Sequence, residues 1–333
     1  MGVIFSTTFL VIMMFMVFSC SDRPTSFSLP SINESFGQAV TYNRKVDILF
    51  VIDNSKSMLQ HQQRLSARIP DMIAALNSLG MDYHIAVTTT TMTKNSDYAM
   101  TRQILGEPKY LTRSNIHLLS DRLLVGDSGS DNERGLDSLA FVTGSYASTN
   151  AAGFLRTDAL FVVNILADEN DNSVEMGQGS SNDFVNYMNA FRPKFKDGGR
   201  AWIANYIGTI QNQNCDFLGG HVSIGTNYLK LVDASKGVKE SICVGDLTAA
   251  VSNIKARIID QITAYRLADA PNKSTIKVSV GGVNISEGAV NGWTLEYETD
   301  ANGIKTYYVK FHGTAVPADG MSIRVDYTPA NAS

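Results

Sequence analysis

The chain has 333 residues, of which 44 % are hydrophobic and 18 % charged, a composition typical of an ordinary globular protein. Its formal net charge of −4 at pH 7 and the lack of any Lys/Arg run argue against a nucleic-acid-binding surface. The length suffices for a large α/β domain followed by a small second domain.

The first residues have the pattern of an export signal. Val3 to Phe18 is nearly all apolar, which fits the core of a signal peptide and is short for a membrane-spanning helix. Val17-Phe18-Ser19-Cys20 then resembles a bacterial lipobox, in which the cysteine is lipidated and becomes the first mature residue. We predict a lipoprotein signal peptide over 1–20 with lipid on Cys20. A plain secretory signal and a short membrane anchor are the alternatives.

The segment after Cys20 and the other two cysteines agree with export. Residues 21–44 are rich in Ser, Pro and Asn and are predicted to form a tether. Cys215 and Cys243 are an even pair, which suggests one disulfide; two free buried thiols are the alternative. Because Ser21 does not resemble an inner-membrane retention signal, we expect a lipid anchor in the bacterial cell envelope, with the outer membrane favoured.

The first predicted strand, 45–52, ends in an unusual polar loop. Its continuous apolar run predicts burial on both faces of a sheet. Asp53 follows at the carboxyl end, and Ser55 and Ser57 come at alternate positions after it. One carboxylate and two hydroxyls are hard oxygen donors of the kind that Mg²⁺ or Mn²⁺ prefers. The alternative is that Asp53, helped by both serines, simply caps a helix.

Strands and helices alternate through the rest of 45–268, which predicts a mainly parallel sheet covered on both faces. The predicted strands are 81–92, 158–167 and 199–209, with a short strand or hairpin at 98–111. The predicted helices are 57–80 (capped by Ser57), 114–125, 133–146, 182–195, 225–234 and 246–268. The fold class is therefore α/β, with a doubly wound, Rossmann-like sheet.

The pattern changes after Ala270-Pro271-Asn272-Lys273. Short alternating runs follow, separated by Gly-Gly, Asn-Gly and Asp-Gly turn signals. They lie at 275–280, 293–297, 305–311 and 321–327. We predict a small antiparallel β domain over 272–333, with Trp293 in its core.

Two further segments complete the candidate metal site. Asp168 directly follows the buried strand 158–167, so its carboxylate and that of Asp53 should line the same sheet edge. A Gly-rich loop that ends at Ser130 precedes a helix at that edge, although Thr88 to Thr91 offers rival hydroxyls. Two carboxylates, two or three hydroxyls and water suit the octahedral shell of Mg²⁺ better than Zn²⁺.

These residues carry a resemblance to a known family. Asp53-x-Ser55-x-Ser57, Ser130 five residues before Gly135-Leu136, and Asp168 resemble the metal-ion-dependent adhesion site (MIDAS) of von Willebrand factor type A (VWA) domains. The resemblance covers about 45–268 and implies a doubly wound sheet that binds partners through a metal. The family usually has Thr where this chain has Ser130. Asp-Glu-x-Asp after the fourth strand, the Ser-Asp-Asn-Glu-Arg-Gly-Leu helix start and the C-terminal β module are similar to bacterial lipoproteins of this class.

Other polar residues near these motifs have simpler interpretations. Glu169 and Asp171 either contact the metal through water or are solvated. Glu133 is expected to favour the N-terminus of its helix through the macrodipole. The histidines are scattered without ligand spacing, which predicts structural or surface roles.

The sequence favours a non-enzymatic, metal-dependent adhesion module. The chain supplies metal ligands but no obvious base or nucleophile beside them. The resemblance implies that Mg²⁺ or Mn²⁺ bridges to an exposed carboxylate of a protein partner, while the lipid on Cys20 holds the module at a membrane. The alternatives are a structural envelope protein with a stabilising metal and a metal-assisted hydrolase.

Overall fold

The computed structural model describes residues 33–34, 44–93, 101–175, 181–195, 199–212, 223–299, 302–318 and 321–330. The predicted signal peptide with Cys20, and Cys215 of the predicted disulfide, lie outside these ranges. Within them, no helix combines the length and the apolar character needed to cross a membrane.

A five-stranded parallel sheet forms the centre of the larger unit, as predicted. Its strands are β2 (Lys45–Ile52), β3 (Asp82–Thr89), β4 (Leu160–Ala167), β5 (Trp202–Gly208) and β6 (Lys239–Ser241), in the order β3-β2-β4-β5-β6. β4 and β5 are buried along their whole length because helices cover both faces of the sheet. The short edge strand β6 was not predicted.

The helices form two layers, one on each face. Their bounds are α1 (Leu59–Ser66), α2 (Ile69–Ser78), α3 (Leu119–Arg122), α4 (Gly135–Thr143), α5 (Ser145–Thr149), α6 (Ser181–Phe191), α7 (Thr226–Ser235) and α8 (Thr248–Ile262). Alternate β2 side chains face opposite layers. Ile48 and Phe50 pack with α1, α2, α3 and α8, whereas Leu49 and Val51 pack with α4, α6 and α7.

Several of the predicted helices were wrong in part, including 133–146, which Gly144 divides into α4 and α5. The helix predicted over 57–80 is broken into α1 and α2, because Pro70 begins a new helix instead of continuing the first. Ser57 does not cap α1, which starts after Met58 without a side-chain cap. Over 114–125 there is a 3₁₀ turn (Ile116–Leu118) and the short α3 instead of one helix. In the described part of 98–111 there is no strand, only an isolated bridge between Leu111 and Ile85 and a hydrogen bond from Leu105 N to Val87 O at 2.8 Å.

The C-terminal part contains two antiparallel sheets around one small core. One has the order β10-β11-β7, with β7 (Ala264–Arg266), β10 (Gly292–Thr299) and β11 (Lys305–His312). The other has the order β1-β12-β8-β9, with β1 (Asn33–Glu34), β8 (Lys277–Val280), β9 (Val283–Ile285) and β12 (Ile323–Asp326). Trp293 lies in the core, as predicted. The helix predicted to reach 268 ends at Ile262, since pairing with β11 draws residues 264–266 into a strand.

Candidate metal centre

The candidate site lies beside β2, at the point where the chain changes from adding strands on one side of the sheet to adding them on the other. From β2 the chain adds β3 on one side of the sheet and then crosses to add β4 on the other side. The carboxyl ends of β2 and β4 therefore flank a crevice of the kind in which open α/β sheets bind ligands. Asp53 and Asp168 each follow directly on one of these ends, and the Asp53 amide donates to Leu166 O at 2.9 Å.

The Asp53–Ser57 loop turns its polar atoms toward one another. Asp53 is fully buried, and its Oδ1 accepts from the Ser55 amide at 2.8 Å. The hydroxyls of Ser55 and Ser57 are 3.2 Å apart. Because α1 begins at Leu59 without a side-chain cap, the helix-cap interpretation of Asp53 is wrong. The other carboxylate oxygen, Asp53 Oδ2, is buried and receives no hydrogen bond from any described residue.

The loop that carries Ser130 is fastened directly onto the Asp53 loop. The Gly129 amide donates to Asn54 O at 2.7 Å, and a Cβ at Gly129 would lie 2.4 Å from the Asn54 side chain. Only glycine therefore permits this approach without a shift. Thr91 Oγ1 donates to Asn54 Oδ1 at 2.8 Å and accepts from the Ser130 amide at 3.0 Å. On the other side, Gln62 Nε2 donates to Asp53 O at 2.9 Å.

Ser130 and the rival threonines are in different situations. Ser130 is buried, and its Oγ accepts only a local bond from the Asn132 amide at 3.1 Å. Thr88 Oγ1 donates to Gln103 O at 2.8 Å, and Thr91 is used between the two loops. Thr90 is fully buried, and its Oγ1 bonds to no described residue. Of Ser130, Thr88, Thr90 and Thr91, therefore, Ser130 and Thr90 have hydroxyls with bonding capacity to spare.

Of the acids that follow β4, Asp171 is neither solvated nor in the candidate site. It is buried, and its Oδ1 accepts from the Leu136 amide at 3.0 Å and from Ser173 Oγ at 2.8 Å. Asp171 thus holds the first turn of α4 in place, and the solvated interpretation is wrong for this residue. Asp168 is also buried, and its carbonyl accepts from Thr209 Oγ1 at 2.8 Å.

Glu133 belongs to the site, although the sequence predicted only a macrodipole role for it. Its exposure is 1 %, and no described residue donates to either carboxylate oxygen. Its backbone is fixed from both sides, because Asn172 N donates to Glu133 O at 2.7 Å and Arg134 N donates to Thr90 O at 3.0 Å. Its place two residues before Gly135 was the available signal, but the sequence did not show that the side chain turns inward.

Neighbouring carboxylates raise the pKa of Asp53 and of Glu133. Burial raises the pKa of Asp53 well above its ordinary value, and the charges of Glu133 and Asp168 raise it further. Burial also raises the pKa of Glu133 to about 7, with Glu169 and Asp168 adding to the effect. Buried like charges are costly unless a cation compensates them. A cation at this edge would therefore lower the cost of ionising Asp53 and Glu133.

The donor set fits a hard divalent cation. It consists of buried carboxylates and hydroxyls, which are ligands of Mg²⁺ and Mn²⁺, and no thiol or imidazole takes part among the described residues. Within those residues, no three His, Cys, Asp or Glu side chains group closely enough to hold a metal by themselves. Serine hydroxyls would therefore have to complete the shell, as the sequence predicted.

Cys243 and three of the histidines lie among structural contacts. Cys243 is half-buried beside the main core, and its pairing with Cys215 stays a prediction because Cys215 lies outside the described residues. His61 is buried beside Arg64, and burial lowers its pKa to about 4. His84 Nδ1 lies 3.1 Å from Phe154 O, and His312 Nε2 lies 2.7 Å from Thr294 Oγ1.

The sequence matches no family model and no curated protein. Among solved structures, proximal thread matrix protein 1 from the mussel byssus is similar with a TM-score of 0.42 and 13 % identity, over 68 % of this chain and 50 % of that one. The pilus adhesin SpaC from Lactobacillus rhamnosus GG has a TM-score of 0.42 and 11 % identity, over 85 % and 38 %. BatB, a conserved hypothetical protein from Bacteroides thetaiotaomicron, has a TM-score of 0.36 and 13 % identity, over 64 % and 97 %. The chain spans half or less of the first two proteins.

Proposed function

We propose that this protein is a non-enzymatic, cation-dependent binding module of the VWA class. Asp53, Ser55, Ser57, Ser130 and Asp168 would hold the cation, with Glu133 as an additional buried negative charge beside it. The observation that carries this proposal is the set of buried carboxylate oxygens, Asp53 Oδ2 and both oxygens of Glu133, that receive no hydrogen bond from any described residue. Carboxylates sealed from water in this way ionise at lower cost when a cation lies beside them.

The chain's own residues would position the site before a partner arrives. Asn54, Thr91 and Gly129 lock the two ligand loops together, and Asp171 fixes the start of α4. Mg²⁺ or Mn²⁺ would supply a Lewis-acidic point that attracts a hard oxygen ligand. We propose that this ligand is an exposed carboxylate of a protein partner, and that lipid on Cys20 places the module at a bacterial envelope membrane.

The first test is stabilisation by metal in the full chain. The free energy gained at 100 times the dissociation constant is about 2.7 kcal/mol, which corresponds to a rise in Tm on the order of 5 °C or more. We expect Mg²⁺ and Mn²⁺ to produce this rise in the wild type. Asp53→Asn should abolish it and should also raise the Tm of the metal-free protein, because the substitution removes a buried charge.

A matched control lies on the same strand. Asp47 is buried near the opposite end of β2, where its Oδ1 is 2.8 Å from Arg156 Nη2. Asp47→Asn should lower stability by breaking this buried pair, while the rise in Tm with metal should persist. Equal metal responses in wild type, Asp53→Asn and Asp47→Asn would overturn the metal site.

Partner binding is tested separately from metal binding. Capture from envelope extracts should succeed with Mn²⁺ and fail with chelator or with Asp53→Asn. Chelator-independent capture would mean that the cation only stabilises the fold, as in a structural protein. Turnover of ester or phosphoester substrates that depends on Asp53 would instead establish a metal-assisted hydrolase.

A further inference from the structure

A second concave site lies at the opposite end of the strands of the parallel sheet. A cleft of about 430 Å³ opens between the end of α6, the start of β5 and the strands β10 and β11. We call it the junction cleft; its charged lining residues are Arg192, Lys194, Arg200, Lys236 and Glu298. It lies at the amino ends of the strands, because Trp202, the first residue of β5, is in its wall. The candidate metal site is at their carboxyl ends.

The described lining of the junction cleft has an excess of positive charge. It has four cationic side chains and one carboxylate, in a chain whose formal net charge is −4. Glu298 lies 3.2 Å from Lys236 Nζ and 3.9 Å from Arg200 Nη2. Asp47, outside the lining, forms an ion pair with Arg192 at 4.0 Å, so the four described cations of the cleft face two carboxylates in all. A concave surface with an excess of one sign concentrates oppositely charged ligands.

Arg192 is held rigidly in the wall of the cleft. It is 7 % exposed, and its guanidinium lies over the Phe191 ring at 4.5 Å and the Phe161 ring at 5.7 Å. Asp47 Oδ2 is 4.0 Å from Arg192 Nη2, which is too far for a hydrogen bond. Neither Nε nor Nη2 of Arg192 has an acceptor among the described residues. A fixed guanidinium with incomplete bonding is suited to an oxyanion.

Lys236 contributes its ammonium group to the cleft from an unusual backbone conformation. It follows α7 with φ 54° and ψ 39°, a left-handed conformation. Glycine is the usual residue there because a Cβ is disfavoured in this region. Lys236 and Arg102 are the two non-glycine residues with positive φ among those described. The Lys236 side chain thus lies in the cleft wall on a backbone conformation that glycine adopts more readily.

We propose that the junction cleft binds a small molecule that carries a phosphate group. A multiply charged oxyanion matches the positive excess better than a single carboxylate does, and Arg and Lys together are the usual phosphate ligands in proteins. A volume of about 430 Å³ lies within the range of ligand pockets and exceeds what one inorganic ion needs. This site is separate from the metal edge and does not depend on the proposed adhesion function.

The test is calorimetric titration of the full chain after passage over a chelating resin, so that phosphate cannot bind through a metal. Pyrophosphate and glycerol 3-phosphate are the probes, and chloride and acetate at equal ionic strength are the reference anions. We expect both phosphates to bind at least tenfold more tightly than acetate. Preference for pyrophosphate would favour a diphosphate ligand, and equal binding a phosphomonoester.

Three variants separate a built site from general surface charge. Lys236→Gly should raise the Tm by removing the strain, yet weaken phosphate binding at least tenfold. Lys194→Gln, at an exposed position, should weaken binding without changing the Tm. Lys230→Ala is the charge-matched control on the exposed side of α7 and should change neither. Phosphate binding no tighter than acetate, or an equal loss in Lys230→Ala, would overturn the proposal.

Discussion

Replacing Glu133 by Gln should stabilise the metal-free protein at alkaline pH. Glu133 is 1 % exposed, and its pKa lies at about 7 instead of the ordinary 4.5. Each pKa unit corresponds to about 1.4 kcal/mol, so ionising this buried side chain costs on the order of 3 kcal/mol. The Gln amide would also be buried, which offsets part of the gain. We therefore expect a gain of about 1–3 kcal/mol in the free energy of unfolding at pH 8 with chelator.

The effect of Glu133→Gln on the free energy of unfolding depends on pH. Between pH 4.5 and about 7 the folded state keeps the Glu133 proton, whereas the unfolded chain has lost it. Folding then takes up a proton, so the free energy of unfolding of the metal-free wild type falls as pH rises through this window. In Glu133→Gln the fall should be smaller, and the gain over wild type should vanish near pH 4.5.

Urea unfolding at pH 5 and pH 8, each with chelator and with Mn²⁺, measures these differences. Bound Mn²⁺ should make the wild type more stable than Glu133→Gln, because the Glu133 carboxylate attracts the cation and the Gln amide carries no charge. Glu175→Gln is the control, since Glu175 is half exposed and pairs with Arg102 and Arg134. It should cost at most about 1 kcal/mol. A metal-free Glu133→Gln protein that is less stable than wild type at pH 8 would refute the reasoning.

Further predictions concern the residues that position the site. Gly129→Ala should destabilise the protein by about 1–3 kcal/mol, because the new Cβ would meet the Asn54 side chain at 2.4 Å, and should reduce the Mn²⁺-induced rise in Tm. Equal metal responses in this variant and wild type would contradict the loop contact. Asp171→Ala should cost about 1–3 kcal/mol, since the buried Leu136 amide and Ser173 hydroxyl lose their acceptor. An unchanged unfolding midpoint in urea would show that Asp171 does not hold α4.

Much of the fold could be predicted from the sequence because parallel strands buried on both faces leave a continuous apolar run. β2 was predicted with its observed bounds. The strand predicted at 158–167 begins two residues before the observed β4 and ends at the same residue. The short elements β6, β7 and β9 were missed, as was β1, which lies within the segment 21–44 predicted to be a tether. Their few residues carry little periodicity, and pairing partners far along the chain decide their conformation.

The candidate site was likewise predicted only in part. Asp53 and Asp168 were found because a polar residue directly after a buried strand lies at the sheet edge, a position that local sequence determines. Glu133 was misassigned because an acid before a helix suits the macrodipole equally well. Only the packing of its loop against Thr90 and Asn172 shows that the side chain is sealed inside.

The sequence by itself determined the fold class and the two carboxylates at the ends of β2 and β4, because both depend on local burial patterns. The tertiary structure decided the strand order, which places these ends on either side of the reversal point. It also decided that Asp171 caps α4 and that Lys236 lies in a cationic cleft against β10 and β11. Those features depend on contacts between distant segments, and the burial of a polar side chain follows from what packs over it.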